Sequence, residues 1–137
     1  FNMKMYARLE PGRLCSLVHE GSQAKITADA PVEVGGGGSA FSPTDMVGAA
    51  LASCAILTMA GQAAKRNVNI DGTRAEIIKE MASNPRRIGQ LKMIIFLPAH
   101  LTEEDRGVLE QAAIHCPVGK SLSAEIKISI EFLVVDG

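Results

Sequence analysis

The chain has 137 residues, of which 47% are hydrophobic, and its 14 basic and 15 acidic side chains give a formal net charge of -1. This length is enough for one domain with a buried core, so we expect a single domain over residues 1–137. The balanced charge argues against nucleic acid as a partner, and the hydrophobic composition argues against intrinsic disorder. Aromatic residues make up only 4%, so the core must be aliphatic.

The first thirty residues contain three short runs that alternate in the manner of strands, separated by glycine-containing turns. They cover residues 4–9, 13–19 and 23–28. This spacing predicts a small antiparallel meander. Four consecutive glycines at 35–38 follow, and they favour a flexible loop over a dinucleotide-binding turn because no βαβ pattern surrounds them.

A long helix begins after the glycines. Ser42 and Asp45 have the spacing of a capping box, and Pro43 suits the first helical position. Residues 46–64 carry no charge and include seven alanines and two glycines. That content of small residues is poor for insertion into a membrane, so we expect no membrane partner. A helix that is apolar all round must be covered by protein, and the sequence therefore predicts a homodimer.

The remaining elements alternate between strand and helix. Strands are predicted near residues 73–81 and 87–97, a helix from Thr102 to about His115, and a last strand over 125–135. Pro117 is expected to end the second helix. The order of elements predicts an α+β fold.

Three cysteines, Cys15, Cys54 and Cys116, are the residues with the clearest chemical potential. Their odd number does not suit a disulfide framework, and the first residues lack the apolar core of a secretory signal. Both observations favour a reducing compartment, and we expect a cytoplasmic protein with free thiols. The cysteines and three histidines have no metal-site spacing, so a zinc site is not expected.

Cys54 lies in the middle of the uncharged helix, where two interpretations remain open. A free cysteine there packs as a small hydrophobic residue, or it reacts if a cation from elsewhere stabilises its thiolate. Cys116 is expected at the end of a helix, where the dipole disfavours a thiolate. Such a residue is better suited to resolve an oxidised cysteine than to attack first.

Arg13 and Asp45 are weaker candidates. Arg13 is expected on a strand beside Cys15, where an ordinary exposed charge explains it equally well. Asp45 is explained by its capping role. Nine positions separate Asp45 from Cys54, which places the two on opposite faces of one helix and disfavours a direct partnership within one chain.

Several segments together resemble the OsmC/Ohr family, the osmotically inducible and organic hydroperoxide resistance proteins. The similar segments are ITADAP (26–31), FSPTDMV (41–47), AALASC (49–54), NPRRI (84–88), CPV (116–118) and KSL (120–122). The resemblance implies an OsmC-like fold in which antiparallel sheets wrap around a long central buried helix in an intertwined homodimer.

The same resemblance implies a thiol peroxidase that reduces organic hydroperoxides. Cys54 would be the peroxidatic thiol and Cys116 the resolving thiol, joined in a disulfide after Cys54 becomes a sulfenic acid. Arg13, or Arg8 as the alternative, would stabilise the thiolate, and Asp45 would hold that arginine. An external dithiol reductant would restore both thiols, with no metal or organic cofactor. The alternatives are a redox sensor, or an apolar small-molecule-binding protein with little peroxidase turnover.

Overall fold

The computed structural model describes residues 2–135, which form two compact units that divide between Val47 and Gly48. Each unit contains one three-stranded sheet. The expectation of a single domain over residues 1–137 remains a prediction.

The first unit confirms the predicted meander. Strands β1 (Met5–Glu10), β2 (Leu14–His19) and β3 (Lys25–Ala28) pair antiparallel in that order. The β1–β2 register places Leu9 opposite Cys15 and Ala7 opposite Leu17. Alternation along a strand therefore collects apolar side chains on one face. Large apolar side chains of this unit are strongly exposed, among them Met5 (68%), Leu9 (75%), Ile26 (56%) and Phe41 (59%).

The glycine run differs from the expected flexible loop, because a buried carboxylate holds it. Asp29 is 4% exposed. Its Oδ2 accepts hydrogen bonds from the backbone N–H of Ser39 at 3.0 Å and from the Ser39 hydroxyl at 2.7 Å, while Oδ1 accepts from the N–H of Gly37 at 3.4 Å. Gly36 lies against Ala30, and a Cβ on Gly36 would stand 1.9 Å from the carbonyl oxygen of Ala30. The loop is thus ordered by backbone packing that only glycine allows.

The first helix, α1 (Pro43–Lys65), starts where the capping box predicts. The N–H of Asp45 donates to Ser42 Oγ at 3.1 Å, and the N–H of Ser42 donates to Asp45 Oδ2 at 3.0 Å. The backbone N–H groups of Ser42 and Asp45 at the start of the helix are therefore both hydrogen-bonded.

The second unit contains β4 (Arg74–Ala82), β5 (Arg87–Pro98) and β6 (Lys127–Val135), in that order across the sheet. β4 and β5 pair antiparallel, as the turn between them predicts. β5 and β6 pair parallel, so the expectation of purely antiparallel sheets is wrong at this edge. The reason is the connection, since α2 (Glu103–Ile114) and α3 (Pro117–Ser121) return the chain to the same end of the sheet.

The core of the second unit lies between α1, α2 and the sheet. α1 contributes Leu51, Ala55, Met59 and Ala63, which recur every four residues and are at most 1% exposed. They belong to one hydrophobic cluster with Leu91, Met93, Ile95 and Leu97 of β5 and Leu109 and Ala113 of α2. The expected α+β class is confirmed.

Residues 2–135 leave the opposite side of α1 exposed, and Leu57 on that side is 70% exposed. Among residues 2–135, α1 is long and apolar enough to span a membrane by length and composition, and 28% of its most apolar 18-residue window is buried. The core helix of a soluble protein satisfies the same criterion when its exposed side is covered.

Candidate active site

Two cysteines that are 62 positions apart in the chain meet in the second unit. Cys54 lies on helix α1, and Cys116 lies between α2 and α3. The two thiols are neighbours, close enough for Cys54 to raise the pKa of Cys116. The fold therefore brings together the two cysteines for which the sequence indicated a peroxidatic and a resolving role.

Cys116 does not simply end a helix, as expected, but caps the next one. α2 ends at Ile114, and Cys116 is the N-cap residue of the five-residue helix α3. Its Sγ accepts a hydrogen bond from the backbone N–H of Gly119 at 3.4 Å. Proline is favoured at the first position of a helix as well as beyond the end of one. Pro117 is therefore the sequence signal for the start of α3, although the sequence analysis predicts only that it ends the second helix.

Burial raises the pKa of the Cys116 thiol, and the neighbouring Cys54 raises it further, whereas the Gly119 amide opposes both effects. Because Cys116 is 1% exposed, water does not stabilise a thiolate at that sulfur. Cys116 is therefore held as a thiol, which can donate its S–H to Cys54.

The two cysteine residues differ in exposure to solvent. Cys54 is half-buried, whereas Cys116 is buried. A small oxidant from solution therefore reaches Cys54 first. This order matches the division of roles that the sequence predicts, in which Cys54 reacts and Cys116 resolves.

Thr58 is a neighbour of Cys54 that the sequence analysis missed. Its hydroxyl donates to the backbone carbonyl oxygen of Cys54 at 2.6 Å, and its Oγ1 lies 4.0 Å from Cys54 Sγ. The sequence signal for this neighbour is the spacing of four positions between Cys54 and Thr58, because residues four apart on a helix share one face.

An apolar cleft lies beside Cys116. Its volume is about 340 Å³, and it is lined by Leu51, Ala113, Ile114, Gly119, Ile128 and Ile130. A Cβ on Gly119 would lie 3.5 Å from both Cys116 Sγ and Leu51 Cδ1. Gly119, which lines the cleft, therefore lies against the Cys116 sulfur.

Arg13 lies in the first unit, and its position differs from the prediction. β2 begins at Leu14, so Arg13 belongs to the preceding turn, where its φ of 65° is in the left-handed region. Its Nη1 donates to the carbonyl oxygen of Gly35 at 3.1 Å. The Gly12–Arg13 turn, with positive φ at both residues, removes Arg13 from the strand ladder. Arg8, the alternative, lies on β1 with its Nε 3.6 Å from Glu10 Oε1.

Asp45 and Cys15 also lie in the first unit. The Asp45 carboxylate accepts the helix-capping bond from Ser42 described above. Cys15 is a free, half-buried thiol on β2. Within residues 2–135, no group of three or more His, Cys, Asp or Glu side chains could hold a metal ion.

Comparison with solved structures gives close matches over nearly the whole chain. A Psychrobacter arcticus protein, named for an osmotic stress induced and detoxification response, is 32% identical with a TM-score of 0.90, covering 96% of this chain and 97% of its own. A Legionella pneumophila protein named organic hydroperoxide resistance protein OsmC is 15% identical, with a TM-score of 0.72 and 97% of each chain covered.

The organic hydroperoxide resistance protein OhrB of Bacillus subtilis is 19% identical, with a TM-score of 0.68, and the match covers 96% of this chain and 98% of that one. At these lower sequence identities, the Legionella pneumophila and Bacillus subtilis proteins show only that the fold is shared. No protein with curated annotation matches the sequence significantly.

The sequence profile of the OsmC-like proteins matches residues 36–131, which include α1, most of the second sheet and both Cys54 and Cys116. The profile match and the Psychrobacter arcticus relative agree on the family. The chain belongs to the OsmC/Ohr family of OsmC-like proteins.

Proposed function

We propose that this protein is a thiol peroxidase that reduces organic hydroperoxides. The observation that carries the proposal is the pair of neighbouring thiols, of which Cys54 is half-buried and Cys116 is buried with a raised pKa. A reactive cysteine beside a resolving one is the arrangement that allows a reversible sulfenic acid cycle. Membership of a family that includes organic hydroperoxide resistance proteins supports the same assignment.

In the proposed reaction the Cys54 thiolate attacks the outer oxygen of the hydroperoxide and the O–O bond breaks. The leaving alkoxide takes a proton and departs as an alcohol, and Cys54 becomes a sulfenic acid. The Cys116 sulfur then attacks the Cys54 sulfur, a disulfide forms, and water leaves. An external dithiol is oxidised by exchange and restores both thiols. These steps use no metal or organic cofactor.

The proposal assigns stabilisation of the Cys54 thiolate to Arg13 and the orientation of that arginine to Asp45. Both assignments come from the positions of these residues in the family-like motifs. A nearby cation favours the charged form of a thiol, and α1 supplies no charged side chain between Asp45 and Lys65.

We also propose that the protein is a homodimer, because large apolar side chains are exposed in each unit. Leu57 on α1, Leu9 on β1 and Phe41 before α1 are 70%, 75% and 59% exposed. An interface with a second copy would cover such side chains. The alanine-rich composition of α1 favours a second copy over a membrane as the covering surface. A reducing cytoplasm as the location suits the free thiols.

The proposed peroxidase activity is tested by adding one equivalent of an alkyl hydroperoxide to the reduced protein. Free thiols are then counted, and disulfides are mapped by mass spectrometry. We expect three thiols to fall to one, with Cys54 joined to Cys116 and Cys15 still reduced. Persistence of all three thiols over minutes contradicts the proposal. Repeated cycles with a dithiol separate an enzyme from a sensor, which forms the disulfide but turns over negligibly.

Binding of an apolar small molecule is a second candidate function, and the cleft beside Cys116 favours it. All six of its lining residues have apolar side chains or none. Binding without chemistry predicts that an apolar fluorescent probe is displaced by unreactive alcohols and that all three thiols persist after treatment with hydroperoxide.

A further inference from the structure

The Thr58 hydroxyl has only one hydrogen, and the helix backbone occupies it. The 2.6 Å hydrogen bond runs from Thr58 Oγ1 to the carbonyl oxygen of Cys54, one turn earlier in α1. This is the usual bond of a threonine inside a helix. Thr58 therefore presents only lone pairs to the Cys54 sulfur, 4.0 Å away.

An oxygen lone pair distinguishes the two forms of Cys54. A thiol can donate its S–H to Thr58 Oγ1, whereas a thiolate has no hydrogen to donate and meets a partial negative charge. A hydrogen bond made only by the neutral form of a group favours that form. Cys116 is the titratable neighbour of Cys54, and because its own pKa is raised it stays a thiol and adds no charge beside Cys54.

We propose that Thr58 is a positioning residue that holds Cys54 as a thiol and thereby restrains its nucleophilicity. This proposal rests on the proposed function only in taking Cys54 as the nucleophile. The restraint would limit reaction of Cys54 with oxidants until a cation stabilises its thiolate.

The test measures alkylation of Cys54 in the full-length reduced protein, without any peroxide, so that its failure is separate from failure of the peroxidase proposal. The Cys54 thiolate displaces iodide from iodoacetamide, and mass spectrometry follows the modified Cys54 peptide over a series of pH values. Thr58→Val keeps the β-branched shape and removes the hydroxyl. Thr58→Ser is the matched control, because it keeps the hydroxyl and removes only the methyl group.

We expect alkylation of Cys54 in the Thr58→Val variant to be about threefold faster near neutral pH, the effect of one net hydrogen bond, with the rate profile moved to lower pH. Thr58→Ser should match the wild type. An unchanged or slower rate in Thr58→Val overturns the proposal, and so does an equal acceleration in both variants, which would assign the effect to the methyl group. If circular dichroism shows that Thr58→Val does not fold, Thr58→Ala is measured with the same criteria.

Discussion

The thiols of Cys54 and Cys116 are neighbours although one lies on a helix and the other in the connection between two helices. Burial raises the pKa of the Cys116 thiol, and Cys116 is 1% exposed whereas Cys54 is half-buried. The two cysteines therefore have different environments before any oxidant arrives. For this reason we expect different outcomes when each cysteine is replaced.

Replacing Cys116 by Ser should leave the first oxidation of Cys54 intact and prevent its resolution. We expect the sulfenic acid to persist and to proceed to sulfinic acid as hydroperoxide is increased, since no thiol remains to condense with it. Cys54→Ser should consume no hydroperoxide at all. Mass spectrometry of the Cys54 peptide measures both outcomes. Cys15→Ser is the control and should behave as the wild type, whereas a disulfide that involves Cys15 in the Cys116→Ser protein would contradict the assignment.

Replacing Arg13 by Ala should slow the reaction of Cys54 with an alkyl hydroperoxide by about tenfold, because a nearby cation favours the thiolate by at least that factor. Arg8→Ala removes an equally charged side chain from β1 and should change the rate little. Rapid-mixing measurements of hydroperoxide consumption in single turnovers give both rates. The opposite result, a slow Arg8 variant and a normal Arg13 variant, would transfer the role to Arg8.

Leu57→Glu should convert the proposed dimer to a monomer, because a charge would replace an apolar side chain on the uncovered side of α1. Native mass spectrometry at low concentration measures the mass. Gln111→Glu, which adds the same charge at an exposed position of α2, should leave the dimer intact. A wild-type protein that is monomeric at all concentrations would rule out the homodimer itself.

Asp29→Asn should destabilise the first unit. One of the two carboxylate oxygens of Asp29 that accept hydrogen bonds from Gly37 and Ser39 would be replaced by an amide NH2 group, which cannot accept them. Hydrogen bonds from the Ser39 hydroxyl and then from the Ser39 amide lower the pKa of Asp29. The stabilisation by its carboxylate is therefore complete above the ordinary aspartate pKa and is lost as the pH falls through the lower, folded-state value. The difference in unfolding free energy between wild type and variant should shrink in acid. Urea titrations over a pH series test this, and a difference that does not vary with pH would contradict it.

Gly36→Ala should destabilise the protein by about 2 kcal/mol or more, because the new methyl group would meet the backbone carbonyl of Ala30. Gly107→Ala in α2 is the matched control. Its Cβ meets nothing within 4 Å, so helix propensity should make that variant more stable by about 1 kcal/mol. Thermal unfolding followed by circular dichroism compares the two. Equal effects at both positions would show that the glycine loop tolerates a side chain.

Local signals in the sequence predicted nearly all of the elements. The start of α1 followed from the Ser42–Asp45 capping box, and β5 followed from an apolar run whose alternate residues are buried. Such features depend on residues close in the chain, and composition and spacing report them directly. Helix α3, which the sequence analysis does not predict, is five residues long and begins at Pro117.

Features that depend on distant residues could not be predicted in the same way. The parallel pairing of β6 with β5 depends on the path of the connection, and the ordering of the glycine loop depends on a carboxylate eight to ten positions earlier. The sequence analysis predicts that Cys54 and Cys116 lie near each other only through resemblance to a family. Arg13 illustrates the same limit, because the positive φ of Gly12 and Arg13 moved it out of the strand.

The parallel edge of the second sheet has a consequence for handling the protein. Cys116 lies in the crossover that makes β6 parallel to β5, whereas Cys54 lies on the helix beneath. The two sulfur atoms can therefore meet only when the crossover is packed on its sheet. Formation of the Cys54–Cys116 disulfide by a mild oxidant in increasing urea would then report the integrity of this crossover, and a redox pair would serve as a built-in probe of native topology.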